Sequence, residues 1–189
     1  MDLKKRLEEF RPWNEQEERD REALLRLLEA GQAPCGREDP AHLTASAWVV
    51  SPERDRVLLA YHNIFGSWSW LGGHADGERD LLSAALREVR EESGLEAVRP
   101  VSRDIYSVEI LTVDGHEKRG RYVSSHLHLN VTFLLEADPA APVRCNPDEN
   151  SRVGWFGLEE AVAASTEPWF QKRIYSKLNG KLAGFPPRR

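Results

Sequence analysis

Apolar and polar positions along the chain change their spacing several times, and each change marks an element. Residues 1–31 are dense in charge, with Leu24, Leu25, Leu27 and Leu28 forming an apolar stripe at helical spacing. Asn14 followed by Glu17 has the form of a capping box, and Gly31 stands where a left-handed cap closes a helix. This segment reads as a packing helix or a dimer-forming one. Residues 32–40, with two prolines and a glycine, make a linker or long turn.

From His42 the period shortens. Residues 43–50 predict a strand, 51–55 a turn and 56–61 a returning strand, so the pair reads as a hairpin. Residues 64–71 carry Phe65, Trp68 and Trp70 at near-alternate places before Gly72-Gly73 breaks the segment. A helix is predicted from 79 to 93, closed by Gly94. Residues 98–110 and 122–135 are β-rich, 153–156 form a short strand, and 158–164 and 168–182 read as helices. Strands and helices interleave without a regular βαβ repeat, which places the chain in a mixed α/β (α+β) class.

Composition narrows the function classes. The chain has 189 residues, with 26 Lys plus Arg against 31 Asp plus Glu and a net charge of −5. That size suits one domain with a small appendage, and the acidic balance argues against nucleic acid as a partner. Only Cys35 and Cys145 are present, which excludes a disulfide scaffold and a cysteine-rich zinc site. No apolar run approaches the roughly 18 residues of a membrane span, and the charged N-terminus does not read as a secretory signal. The expected location is the cytoplasm.

Chemistry concentrates in residues 72–95. Glu88, Glu91 and Glu92 stand at i, i+3 and i+4, within an arc of roughly 100° on a helix. Gly94 puts them in the last turns, where the negative end of the helix dipole disfavours each anion by about 0.3–1 kcal/mol. A hard divalent cation is the natural offset, because Mg2+ binds carboxylate oxygens and bridges them to phosphates. A solvated charged face, partly neutralised by Arg87 and Arg90, is the plainer alternative.

Residues 87–95, Arg-Glu-Val-Arg-Glu-Glu-Ser-Gly-Leu, match every fixed place of R-E-U-x-E-E-x-G-U, the second half of the Nudix signature, and Gly73 lies at the spacing of its first glycine. The chain departs from the full pattern at Arg79, where the signature has glutamate, with Glu78 one residue early. It therefore resembles the Nudix hydrolase superfamily. The resemblance implies a Nudix-type α/β/α sandwich around a mixed sheet over residues 41–182, with an N-terminal helical extension and linker at 1–40 and a tail at 183–189. It implies Glu88, Glu91, Glu92 and the Gly72 carbonyl as metal ligands for Mg2+, or Mn2+ in its place, with Arg87 orienting the carboxylates. The implied reaction is hydrolysis of a diphosphate linkage in a nucleoside diphosphate joined to another group, a small-molecule phosphoanhydride. Glu91 is the first candidate base, and Glu149 is a later one that also reads as an exposed loop acid.

Other residues divide between site and scaffold. His74 follows the glycines and is a candidate substrate contact. His126 and His128 alternate on a predicted strand and share one side, as phosphate contacts or as a half-buried polar face. Arg121 closes a basic loop, 116–121, that suits either phosphate or open solvent. Trp70, with Trp68, is placed for base stacking or for the core. Two other functions remain in view: a non-catalytic nucleotide-binding Nudix-like module, and an isomerase resembling isopentenyl diphosphate isomerase. The second is disfavoured because no cysteine lies between Cys35 and Cys145.

Overall fold

The computed structural model describes residues 2–118 and 120–187, so Met1, Arg119 of the basic loop and the last two tail residues lie outside the described residues. Two helices, α1 (Leu3–Glu9) and α2 (Glu15–Glu29), open the chain. Asn14 caps α2 by accepting from the Glu17 amide at 3.0 Å. The other half of the expected capping box differs. The Glu17 carboxylate accepts from the Trp13 amide at 2.7 Å instead, because it is turned into a buried cluster described below. Gly31 closes the helix at φ +68°, as its position predicts.

Among the described residues ten strands follow the interleaving read from the sequence. They are β1 (Ala41–Val50), β2 (Arg56–His62), β3 (Ser67–Ser69), β4 (Leu71–His74), β5 (Val98–Pro100), β6 (Ser107–Val113), β7 (His116–Lys118), β8 (Arg121–Val123), β9 (His126–Ala137) and β10 (Asn150–Gly157). Between β4 and β5 runs α3 (Leu81–Ser93); after β10 come α4 (Leu158–Ala164), α5 (Pro168–Phe170), a π-helical turn at Gln171–Tyr175 and α6 (Ser176–Lys181). Three expectations are corrected. The segment 98–110 is split by a loop into β5 and β6, and the basic loop folds into the β7–β8 hairpin rather than staying open. The helix expected at 168–182 is interrupted by the π turn.

The main sheet runs β10-β2-β1-β9-β5, with β3 on β2, β4 on β1 and β6 on β9. Its spine is the parallel pair β1–β9, in register from Ala41–Leu127 to Val50–Glu136. The β1–β2 hairpin holds at the single pair Val50–Val57, and β4 takes over that edge of β1 at Thr44–Ala47.

Strand alternation assigns the faces. Leu43, Ala45, Ala47 and Val49 join Leu129, Val131 and Phe133 of β9, and Leu82, Ala85 and Val89 of α3, in one apolar cluster that also takes Leu7 and Leu24. The intervening Trp48 and Val50 join Leu134, Ile174, Tyr175 and Leu178 in a second cluster. These two cores, with helices packed in each, are the layers of the expected sandwich. Along the second face the composition changes: His42, Thr44 and Ser46 of β1, and Asn130 and Thr132 of β9, are polar and buried. Among the described residues no helix is long and apolar enough to cross a membrane.

The polar end is tied to both chain termini by a buried network. Thr44 and Ser46 donate to Asn130 Oδ1 at 3.0 and 2.8 Å, and Asn130 Nδ2 donates to Glu109 Oε2 at 2.9 Å. Lys177 reaches Glu109 at 2.8 Å and Glu17 at 3.3 Å, while Lys181 donates to Glu17 at 2.7 Å. Burial alone would raise the Glu17 carboxyl, but Lys177 and Lys181 hold it below its ordinary value. The N-terminal helix is therefore part of the folded core. Glu17→Ala leaves two buried ammonium groups short of a counter-charge, and should lower the unfolding free energy by about 3–5 kcal/mol in denaturant titration. A loss under about 1 kcal/mol would reduce the network to the worth of an exposed ion pair.

Candidate functional site

The site begins with α3. Asp80 caps it by accepting from the Leu82 amide at 3.2 Å, so the helix starts at Leu81 and Arg79 stays outside. Glu78, displaced by one from the Nudix position, accepts from the Asp80 amide at 2.8 Å and serves the turn before the helix. At the other end Gly94 adopts φ +68° and donates to Arg90 O at 2.9 Å, so Glu88, Glu91 and Glu92 occupy the last turns.

Those turns lie against β4, and the glycine pair makes the approach feasible. A Cβ on Gly73 would lie 2.5 Å from Glu88 Oε2, and one on Gly72 would lie 2.5 Å from the Ser46 Cα. Gly72 and Gly73 therefore do not break the segment, as their type suggested; they are β4 residues paired with Ser46 and Ala45. The Gly72 amide donates to Glu92 Oε2 at 2.8 Å. Arg87 donates to Glu88 at 2.6 Å and to Glu91 at 3.3 Å, and its second amino group donates to the His74 carbonyl at 3.0 Å. Arg87 thus has the geometry of an orienting residue, anchored to β4 and gripping two of the three carboxylates.

Glu88 and Glu92 are buried, at 6 % and 3 % exposure, while the Glu91 side chain is 51 % exposed. Burial pushes the Glu88 carboxyl up to about 7 despite the opposing pull of Arg87, with Glu91 and Glu149 adding repulsion. Burial likewise holds Glu92 well above the ordinary range; the Gly72 amide works against it, and the neighbouring glutamates reinforce it. A raised carboxyl binds protons more tightly in the fold than in the unfolded chain. Without a cation, stability therefore falls as pH rises from the ordinary value of 4.5 through about 7. An all-oxygen donor set with excess negative charge fits a hard dication such as Mg2+, which would relieve the repulsion and displace the protons.

These groups wall a cleft of about 280 Å3. Glu149, in the turn before β10, faces the carboxylates, and neighbouring Asn150 donates from Nδ2 to the Glu92 carbonyl at 2.9 Å. Thr44, Ser46 and Asn130 add polar walls, and Trp70, Phe65 and Phe170 add aromatic ones. Trp70 lines the cleft and also packs edge-on against Tyr175 at 5.9 Å, so part of its ring belongs to the core.

The histidines gather beside the cleft. His126 and His128 share a face as predicted, with their Nε2 atoms 3.1 Å apart. His74 and His128 line the cleft and also a second cavity of about 230 Å3, which His126 borders. Burial, then the surrounding imidazoles, push His128 down to about 3, so it is neutral at physiological pH. Arg121 is exposed on β8 and lines neither cavity, although His116 and Val123 of the same hairpin border the second one. Sequence reasoning missed His42, Asn130 and Phe170. The first two reach the polar face through the parallel β1–β9 pairing, which no local pattern announces.

A mixed sheet with helices on it and a glycine-flanked carboxylate helix on one edge define a recognised class. The chain belongs to the NUDIX family: the NUDIX domain model matches residues 40–178. It is 29 % identical over 107 residues to the asymmetrical bis(5'-nucleosyl)-tetraphosphatase of Mus musculus, across 56 % of this chain and 65 % of that protein. The match thus spans less than two thirds of that relative's length. In fold it is similar to an Ap4A hydrolase of C. elegans, with a TM-score of 0.55 and 20 % identity over 75 % of this chain and 99 % of that one. It is also similar in fold to RenU, a Nudix hydrolase of M. smegmatis, with a TM-score of 0.55 and 18 % identity over 78 % and 89 % of the two chains.

The buried repulsion has a measurable consequence. A Glu88→Gln, Glu92→Gln chain should melt higher than wild type in chelator at pH 8. Mg2+ should raise the wild-type melting point and leave the variant unmoved. Equal melting points in chelator would contradict the repulsion.

Proposed function

We propose that this chain hydrolyses a diphosphate linkage in a substrate made of a nucleoside diphosphate joined to another group, with Mg2+, or Mn2+ in its place, as cofactor. One observation carries the reading: two buried carboxylates and a half-exposed third converge with Arg87 on one wall of a cleft whose other walls include Trp70, Phe65 and Phe170. Glu88, Glu91 and Glu92, with the Gly72 carbonyl, would hold the cofactor. When bound, Mg2+ neutralises phosphate charge and lowers the pKa of water.

The remaining work falls to side chains. Glu91 is the carboxylate most open to solvent, and so the one placed to accept a proton from the attacking water. Glu149 is the alternative base, across the cleft. Arg87 holds Glu88 and Glu91 in a fixed relation to His74, which is a substrate contact in this reading. The exposed ring of Phe65 and the edge of Trp70 offer faces for a nucleobase, where stacking is worth about 1–3 kcal/mol.

The test is a substrate panel with Mg2+ and with Mn2+: a dinucleoside tetraphosphate, suggested by the mouse relative, a nucleotide sugar, nucleoside triphosphates and a non-nucleotide diphosphate. Metal-dependent release of a mononucleotide, phosphate or pyrophosphate is the expected result. Glu91→Gln should then lower kcat on the order of 10²–10⁴-fold with little change in KM. Full activity in Glu91→Gln together with loss in Glu149→Gln would move the base to Glu149. No turnover with either metal would overturn the hydrolase reading in favour of a nucleotide-binding module.

A further inference from the structure

Four histidines from three adjacent strands meet beyond the carboxylate box, and the sheet register explains why. The parallel pairing sets His42 of β1 opposite His128 of β9, while the antiparallel pairing sets His74 of β4 opposite Thr44. His126 precedes His128 by two residues and shares its face. One ring nitrogen from each of His42, His74, His126 and His128 lies within 4.8 Å of the other three. Two nitrogens bound tetrahedrally at about 2.0–2.1 Å from a zinc ion stand about 3.3 Å apart. The Nε2 atoms of His126 and His128 already stand at 3.1 Å.

The outer hydrogen bonds point the same way. His42 Nδ1 lies 2.8 Å from the Asp39 carbonyl, and His126 Nδ1 lies 2.9 Å from the Ser124 carbonyl. A carbonyl only accepts, so each Nδ1 carries a proton, and the nitrogen left to serve as a metal ligand is Nε2. Nε2 of His42 is buried without a hydrogen-bond partner, in a residue only 2 % exposed. An orphaned buried nitrogen is costly. An imidazole held by a backbone carbonyl at one nitrogen and open at the other is the arrangement of a metal ligand.

We propose that His42, His74, His126 and His128 form a second cation site, distinct from the carboxylate box, for a borderline transition-metal dication of the Zn2+ class. Imidazole donors favour such ions, whereas carboxylate oxygens favour Mg2+ and Mn2+, so the two sites differ in the metal they select. The ion joins β1, β4 and β9 at their polar ends and places positive charge on the wall shared by the two cavities. It also fixes His74, whose carbonyl anchors Arg87, so the site braces the carboxylate box from outside.

Metal binding tests this without reference to turnover. The full chain, stripped with chelator, is titrated with Zn2+ by calorimetry in millimolar Mg2+, and with Co2+ by visible absorption. One Zn2+ per chain and a Co2+ spectrum of tetrahedral nitrogen coordination are expected. His126→Ala, at a half-exposed position, and His42→Ala, at a buried one, should each weaken Zn2+ at least about 100-fold, with far-UV circular dichroism confirming the fold. Glu91→Gln should leave Zn2+ binding unchanged. Absence of Zn2+ binding by wild type would overturn the proposal. So would unchanged affinity in folded His126→Ala, or binding lost in Glu91→Gln and retained in His126→Ala.

Discussion

The close approach of the β4 backbone to the last turns of α3 sets the terms for the rest of the molecule. Two glycines permit it: a side chain at Gly73 would displace the Glu88 carboxylate, and one at Gly72 would enter the β1 backbone. What results is electrostatically unfavourable on three counts. Carboxylates sit at the negative end of a helix dipole and repel one another, and two of the three, Glu88 and Glu92, are largely cut off from water. The Gly72 amide and Arg87 offset part of this. They leave Glu88 and Glu92 with raised proton affinity, because burial and the neighbouring carboxylates outweigh the amide and the guanidinium.

The rest of the fold keeps that arrangement in place. Asn150 ties the start of β10 to the end of α3, which sets Glu149 at the cleft. On the polar face of the sheet, Thr44, Ser46, Asn130 and Glu109 form a continuous hydrogen-bonded path to Lys177, and from there to Glu17 in α2. A buried chain of alternating charges is a poor source of net stability against an apolar equivalent, yet costly to break at any one link. It fixes α2 and α6 against the same strands that line the cleft. The N-terminal segment lies outside the Nudix motif but inside the core that supports it.

Local patterns in the sequence were enough to locate most elements and the carboxylate face. Alternation, the Gly31 and Gly94 caps and the i, i+3, i+4 spacing of the glutamates are all short-range signals, and the structure carries each of them. What depended on strand pairing was hidden. The Gly72-Gly73 pair read as a breaker because only the partner strand reveals the missing room for a side chain. His42 stands just ahead of the strand that local alternation predicts, and only parallel pairing brings it beside His128. Arg121 suits either phosphate or open solvent from sequence, because a six-residue basic stretch gives no hint that it folds into its own hairpin. Glu17 was read as a local cap, while its carboxylate is the counter-charge for two lysines from the far end of the chain.

The central claim is that Glu88, Glu91 and Glu92 together form a binding site for a hard dication. The most direct measurement is a Mn2+ titration followed by electron paramagnetic resonance, in which bound metal is lost from the signal of the free aqueous ion. Wild type should bind Mn2+, with Mg2+ displacing it, and the Glu88→Gln, Glu92→Gln chain should leave the free-ion signal intact. Equal Mn2+ binding by the two chains, or none by wild type, would contradict the claim.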